Sequence, residues 1–221
     1  MSVLEKNKVD LKQGRLCVHD KAPMVFTHIY EEDCNIAVWE RDLSPQLQQD
    51  LSEYLDSNTG LLSSMTLSPD NAAAVIHESL GGKQITAALS ENIAELVDIF
   101  CCLFELDRVG LRLTALDRAM CPRFHVDHVP ARLVTTFSGT ATQWLPHNEV
   151  DRSKLGHASL GLPDEASGLF ESEQKIEQLS SGDVALLKGE GWIGNEGAGL
   201  VHRSPLIKAG EKRLLLTLDF N

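Results

Sequence analysis

The sequence predicts an α+β fold, helices first and then a β-sandwich or barrel, folded as a single domain over 1–221. Two observations predict it. Before residue 106, apolar positions recur at three- and four-residue steps behind helix-start signals. After it, apolar and other residues alternate in short runs separated by turn residues. A third bounds the answer: 43% of 221 residues are hydrophobic, enough for a substantial core. The expected division is a mainly helical part, 1–105, and a mainly β part, 106–221, with a long loop at about 146–180.

Ser44-Pro45 places an N-cap before proline at the first helical position, and Leu47, Leu51, Tyr54 and Leu55 then share one face. Ser68-Pro69 repeats the signal, with Gly81-Gly82 as the stop. The third helix is the strongest: Leu89, Ile93, Leu96, Val97, Phe100 and Phe104 keep the helical period. Glu91 and Glu95 lie toward its start, where the helix dipole favours negative charge. Strands are expected at Leu111–Leu116, Ala131–Phe137, Val184–Leu187, Gly199–His202 and Arg213–Leu218. The polar stretch between Leu145 and Ser180 carries one expected short helix near Glu171–Leu179 and reads as a lid over a site.

Charge narrows the function. Twenty Lys+Arg against 32 Asp+Glu give a net charge of −12, which repels phosphate backbones and anionic lipid. Neither nucleic acid nor membrane is an expected partner. Residues Met1–Lys8 show no apolar leader, and the stretch Leu96–Phe104 is far short of the roughly 20 residues a membrane span requires. Five cysteines, an odd number without C-x-x-C spacing, point to reduced thiols and a cytoplasmic setting.

Chemistry concentrates in Cys121-Pro-Arg-Phe-His-Val-Asp-His128 and Val201-His-Arg-Ser-Pro205. His125 and Asp127 are two apart, so on a strand both leave the same face. With His202 from a second strand they supply two imidazoles and one carboxylate, the facial triad of non-haem Fe(II) sites. Arg213 follows His202 by eleven residues, at the start of the last strand. Its guanidinium fork suits a carboxylate held at fixed distance from the metal. H-x-D alone is a weak signal, expected about 0.5 times by composition, but among the three histidines 147, 157 and 202 only His202 is followed by an arginine at this distance.

H-x-D, a distant His and an Arg some ten residues later resemble the 2-oxoglutarate/Fe(II)-dependent dioxygenase superfamily. The resemblance implies a C-terminal double-stranded β-helix (jelly-roll, cupin-like) barrel with the N-terminal helices packed on it. It implies His125, Asp127 and His202 as iron ligands, Arg213 as the partner of the 2-oxoglutarate C5-carboxylate, and oxidation of an unidentified small-molecule or protein substrate. Separately, Cys-Pro-Arg-Phe-His-Val-Asp, Thr-Gln-Trp-Leu-Pro and His-Arg-Ser-Pro resemble an uncharacterised bacterial domain-of-unknown-function family spanning nearly the whole chain.

Other readings stay open. One is a cupin-like protein binding Zn, Mn or Fe without 2-oxoglutarate chemistry; another is a non-catalytic sandwich that binds a partner protein. Arg213 is also open to an ion pair with Glu211 or Asp219, with Arg132 and Arg203 as rival carboxylate binders. Cys121, His125 and His128 have zinc-ligating side chains, at a spacing that matches no closed zinc module. Trp144 and Trp192 are candidate pocket walls, and Gly189–Gly199 reads as a flexible hairpin beside the site.

Overall fold

Residues 14–58 and 62–221 are described by the computed structural model of the chain. Met1–Lys8, where no apolar leader was read, lie outside the described residues. The fold is mixed α+β, built on a large sheet. Its strands are β1 (Leu16–Asp20), β2 (Cys34–Trp39), β3 (Leu62–Leu67), β4 (Val109–Leu116), β5 (Ala131–Ser138), β8 (Val184–Lys188) and β10 (Arg213–Phe220). They run in the order β1-β2-β8-β5-β10-β4-β3; β1 and β2 are parallel and every other pair is antiparallel. A smaller sheet orders β7 (Glu177–Gln178), β6 (Gln143–Leu145) and β9 (Val201–Arg203) as β7-β6-β9. No described helix is long and apolar enough to cross a membrane.

The three helices stand where the period places them: α1 (Pro45–Ser57), α2 (Ala72–Ser79) and α3 (Gln84–Phe104). Ser44 caps α1, its Oγ accepting from the N–H of Leu47 at 3.2 Å. The second helix starts later than Ser68-Pro69 implies, because residues 68–71 form a turn in which Asn71 Oδ1 accepts from the N–H of Ser68. Leu47, Leu51, Leu89, Ile93 and Phe100 share one buried apolar cluster with Leu214, Leu216 and Leu218 of β10. On the opposite face, Val134, Ala185, Leu187 and Leu215 of the large sheet meet Trp144 of the small one.

Strands appear where none was expected. β1, β2 and β3 precede residue 106 and occupy both edges of the large sheet. β2 has five fully buried residues and one half-buried, so its sequence lacks the alternation that marks a one-faced strand. The helix expected near Glu171–Leu179 is absent: a 3₁₀ turn at Glu173–Lys175 leads into β7. From His147 to Lys175 the segment is a series of such turns.

Candidate metal centre and its cavity

His125 and His202 form an isolated antiparallel bridge, each backbone N–H donating to the other's carbonyl at 3.0 Å. Residues opposed in this way present their side chains to one face, and the two ring centroids stand 4.6 Å apart. Asp127 completes the group: its carboxylate is 4.0 Å from His125 Nε2 and 3.5 Å from His202 Nε2. Among the described residues this is the one cluster of three or more His, Cys, Asp or Glu side chains that could hold a metal, with ligand atoms within 4.8 Å of one another.

The tautomers are set by the backbone. His125 Nδ1 lies 2.9 Å from the Arg123 carbonyl and His202 Nδ1 lies 3.2 Å from that of Leu200. A carbonyl only accepts, so each Nδ1 carries the proton and each Nε2 keeps its lone pair toward the cluster. Burial pushes the His202 imidazole down to about 4 against the pull of Asp127, keeping it neutral and ready to ligate. Asp127 is held by Arg132, whose Nη1 donates to both carboxylate oxygens at 3.0 and 2.9 Å. The other edge of Arg132 grips Asp219 at 2.6 and 3.0 Å. Two imidazole nitrogens and one carboxylate oxygen on one face suit a first-row divalent ion, and the residues fit such a group.

Arg213 is fully buried, with 0% of its surface exposed. Its Nη1 donates to Ser204 Oγ at 2.5 Å, and its Nη2 to Thr136 Oγ1 at 3.2 Å and Thr142 Oγ1 at 2.9 Å; Nε has no partner. No carboxylate pairs with it among the described residues. Asp219 belongs to Arg132, and Glu211 accepts from Thr140. Desolvation lowers its pKa to about 10, which leaves it charged at neutral pH. Arg213, His125 and His202 line one cavity of about 80 Å³, together with Ser204, Val134 and Leu187.

The rival groupings separate. Arg203 is taken by Gln143 and Glu165 and lies over the Phe124 ring at 4.3 Å. The His128 side chain is 86% exposed and turns to Glu190, so Cys121, His125 and His128 do not converge. Trp144 is core, and Trp192 stacks near Tyr30 and Phe104; neither lines the cavity. The glycine-rich segment does lie beside the site, but by close packing. Glu190 N–H donates to the Asp127 carbonyl at 2.8 Å, and a Cβ on Gly189 or Gly191 would collide with the carbonyls of Val129 and His128.

One residue escaped the sequence reading. Asp164, 4% exposed, comes from the long 146–180 segment. It accepts the Phe124 N–H at 2.7 Å and Arg123 Nε at 2.7 Å, with Arg203 Nη1 at 3.5 Å. Phe124 and Arg203 are the neighbours of His125 and His202, so this carboxylate ties the segment to both histidine strands. In this structure the segment is fastened at the site, where the sequence suggested a gate. Nothing short of the folded chain marks Asp164 among its acidic neighbours.

The chain is similar to solved structures. The chain resembles JOX2 in complex with 2OG, Fe and JA at 9% identity, covering 95% of this chain and 77% of that one with a TM-score of 0.50. It also resembles the dioxygenase for auxin oxidation in rice (10% identity, 93% and 82% covered, TM-score 0.46) and a Pseudomonas putida prolyl-4-hydroxylase (10%, 90% and 97%, 0.45). At such identities the first of these is a likeness of fold. A comparison with curated proteins gave no match. The chain belongs to the family described as protein of unknown function (DUF1826), whose profile matches residues 20–219.

Proposed function

We propose that the chain is a non-haem Fe(II)/2-oxoglutarate-dependent dioxygenase acting in the cytoplasm, its two sheets forming a double-stranded β-helix. His125, Asp127 and His202 are the iron ligands, and Arg213 pairs with the C5-carboxylate of 2-oxoglutarate. The observation that carries the reading is Arg213: a buried guanidinium with no counter-ion, on a residue that lines the same cavity as both imidazoles. Burying an unpaired charge is costly, and an anionic ligand is the partner that offsets it.

Bound iron and 2-oxoglutarate would together supply the oxidising power for O₂ chemistry, the 2-oxo acid giving up two electrons with loss of CO₂. The chain's own residues prepare the site. The carbonyls of Arg123 and Leu200 aim the two Nε2 lone pairs, and Arg132 holds and orients the Asp127 carboxylate. Ser204 and Thr142 hold the guanidinium in place to meet a carboxylate. Val134, Leu187 and Leu215 give the cavity an apolar wall that limits water.

The test is an anaerobic titration of metal-stripped full chain with Fe(II), then with 2-oxoglutarate. Iron binding followed by a weak visible charge-transfer band and a thermal shift is the expected result. His125→Ala or Asp127→Ala abolishes both, while Arg213→Ala keeps the iron and loses the response to 2-oxoglutarate. Iron binding with no response to 2-oxoglutarate in the wild type would leave a cupin-like metal protein. No metal binding at all would remove the enzyme reading.

A further inference from the structure

The cavity is electropositive inside an acidic molecule. Net charge is −12, yet the charged side chains lining this cavity are three arginines, with no Asp or Glu. Such a wall concentrates field that draws anions against the overall charge. Two of the arginines are accounted for: Arg132 grips Asp127 and Asp219, and Arg213 sits fully buried among hydroxyls. Arg112 is left. It is exposed, and it makes no hydrogen bond or ion pair with any described residue.

Strand register fixes where it stands. β4 and β10 pair Leu116 with Arg213, Thr114 with Leu215, and Arg112 with Thr217. Alternate residues share a face, so Arg213, Leu215 and Thr217 form one row on the cavity wall, beside Thr114 and Arg112. Four residues of strand carry that row about 13 Å from the buried guanidinium to the level of the exposed one. Between them Thr114 is 7% exposed, and its Oγ1 has no hydrogen-bond partner. A buried hydroxyl without a partner, on a residue that lines a cavity, is a group a ligand's polar atom can satisfy. Asp219, the acid two residues beyond Thr217 on the same face, is already taken by Arg132.

We propose that the outer half of this cavity is the site of the substrate to be oxidised. That substrate is an organic anion whose carboxylate or phosphate pairs with Arg112, and whose polar groups reach Thr114 and Thr217. The inference rests on the dioxygenase reading for the word substrate: 2-oxoglutarate has one end for Arg213 and the other for the ligand cluster, leaving nothing for Arg112. The anion site itself does not depend on metal.

The test is calorimetric titration of the full chain with benzoate and phenyl phosphate, beside their uncharged counterparts benzamide and benzyl alcohol. Wild type, Arg112→Gln, Arg112→Lys and Arg213→Gln are compared, each in 2-oxoglutarate. We expect at least one anion to bind more than tenfold tighter than its uncharged counterpart, and its identity separates carboxylate from phosphate. Arg112→Gln weakens it at least tenfold, Arg112→Lys less, and Arg213→Gln not at all. Iron binding and the 2-oxoglutarate band are measured on Arg112→Gln and persist. The proposal is overturned if no anion is preferred, or if Arg213→Gln removes the preference and Arg112→Gln leaves it. Failure of wild-type iron binding would instead sink the dioxygenase reading and leave the anion result standing.

Discussion

β10 carries two kinds of interior on its two faces. Leu214, Leu216 and Leu218, each 0% exposed, point into the cluster they share with the helices. Arg213, Leu215 and Thr217 point the other way, into the cavity with the histidines. The helix side is a side-chain jigsaw whose stabilisation comes from buried apolar area, about 1.5–3 kcal/mol per leucine. The cavity side holds a cation without a counter-ion, with Arg213 Nε unsatisfied and Thr114 Oγ1 likewise on the neighbouring strand. One strand thus separates what stabilises the fold from what the proposed function assigns to a ligand, and substitutions one residue apart should have unlike consequences.

The largest expected effect lies on the helix side. Leu216→Ala removes a fully buried side chain from close packing and should cost about 2–5 kcal/mol, read from urea unfolding. Iron affinity of the folded fraction should stay unchanged. A large fall in affinity would show that the two faces are coupled, and the comparison would break.

A smaller effect is expected from Asp164, which touches neither face of β10 directly. Asp164→Ala frees the Phe124 N–H and removes the carboxylate beside Arg123 and Arg203, the flanking residues of the two histidine segments. Partners one step removed from a metal typically matter 10–100-fold in affinity, and a loss of about that size is expected here in competition with a chelator. Far-UV circular dichroism should remain that of the wild type. Unchanged affinity would mean that Asp164 anchors the 146–180 segment without positioning the ligands.

Much of this was readable in the chain. Ser44-Pro45 and the period of α3 announce helices through local chemistry, and Leu111–Leu116 announces a strand through its alternation. H-x-D, His202 and Arg213 stood out because each residue type is suited to one role and each fell on or beside a strand. What stayed hidden depends on distant partners. β2 is buried on both faces, so Cys34-Asn-Ile-Ala-Val-Trp39 lacks a period. Arg132 looked like a rival to Arg213 until Asp127 and Asp219 were seen to share it. Gly189 and Gly191 look like flexibility in the sequence, and only the carbonyls of Val129 and His128 reveal that they permit close approach. Asp164 lies forty residues from the amide it caps, with no local pattern to single it out.

The smallest expected change in stability sharpens the comparison most. Arg213 has three hydroxyl partners and no carboxylate, and desolvation already works against its charge. If the residue served the fold, Arg213→Met would destabilise the ligand-free chain by several kcal/mol, as cutting a buried charged network does. If it serves a ligand, a thioether of similar length replaces a desolvated cation, and the three hydroxyls can turn to water in the cavity. Unfolding of the ligand-free variant should then stay within about 1 kcal/mol of wild type, or rise, while stabilisation by added 2-oxoglutarate disappears. A strong loss of stability in the variant, with the response to 2-oxoglutarate retained, would make Arg213 a structural residue and return β10 to a strand with two ordinary faces.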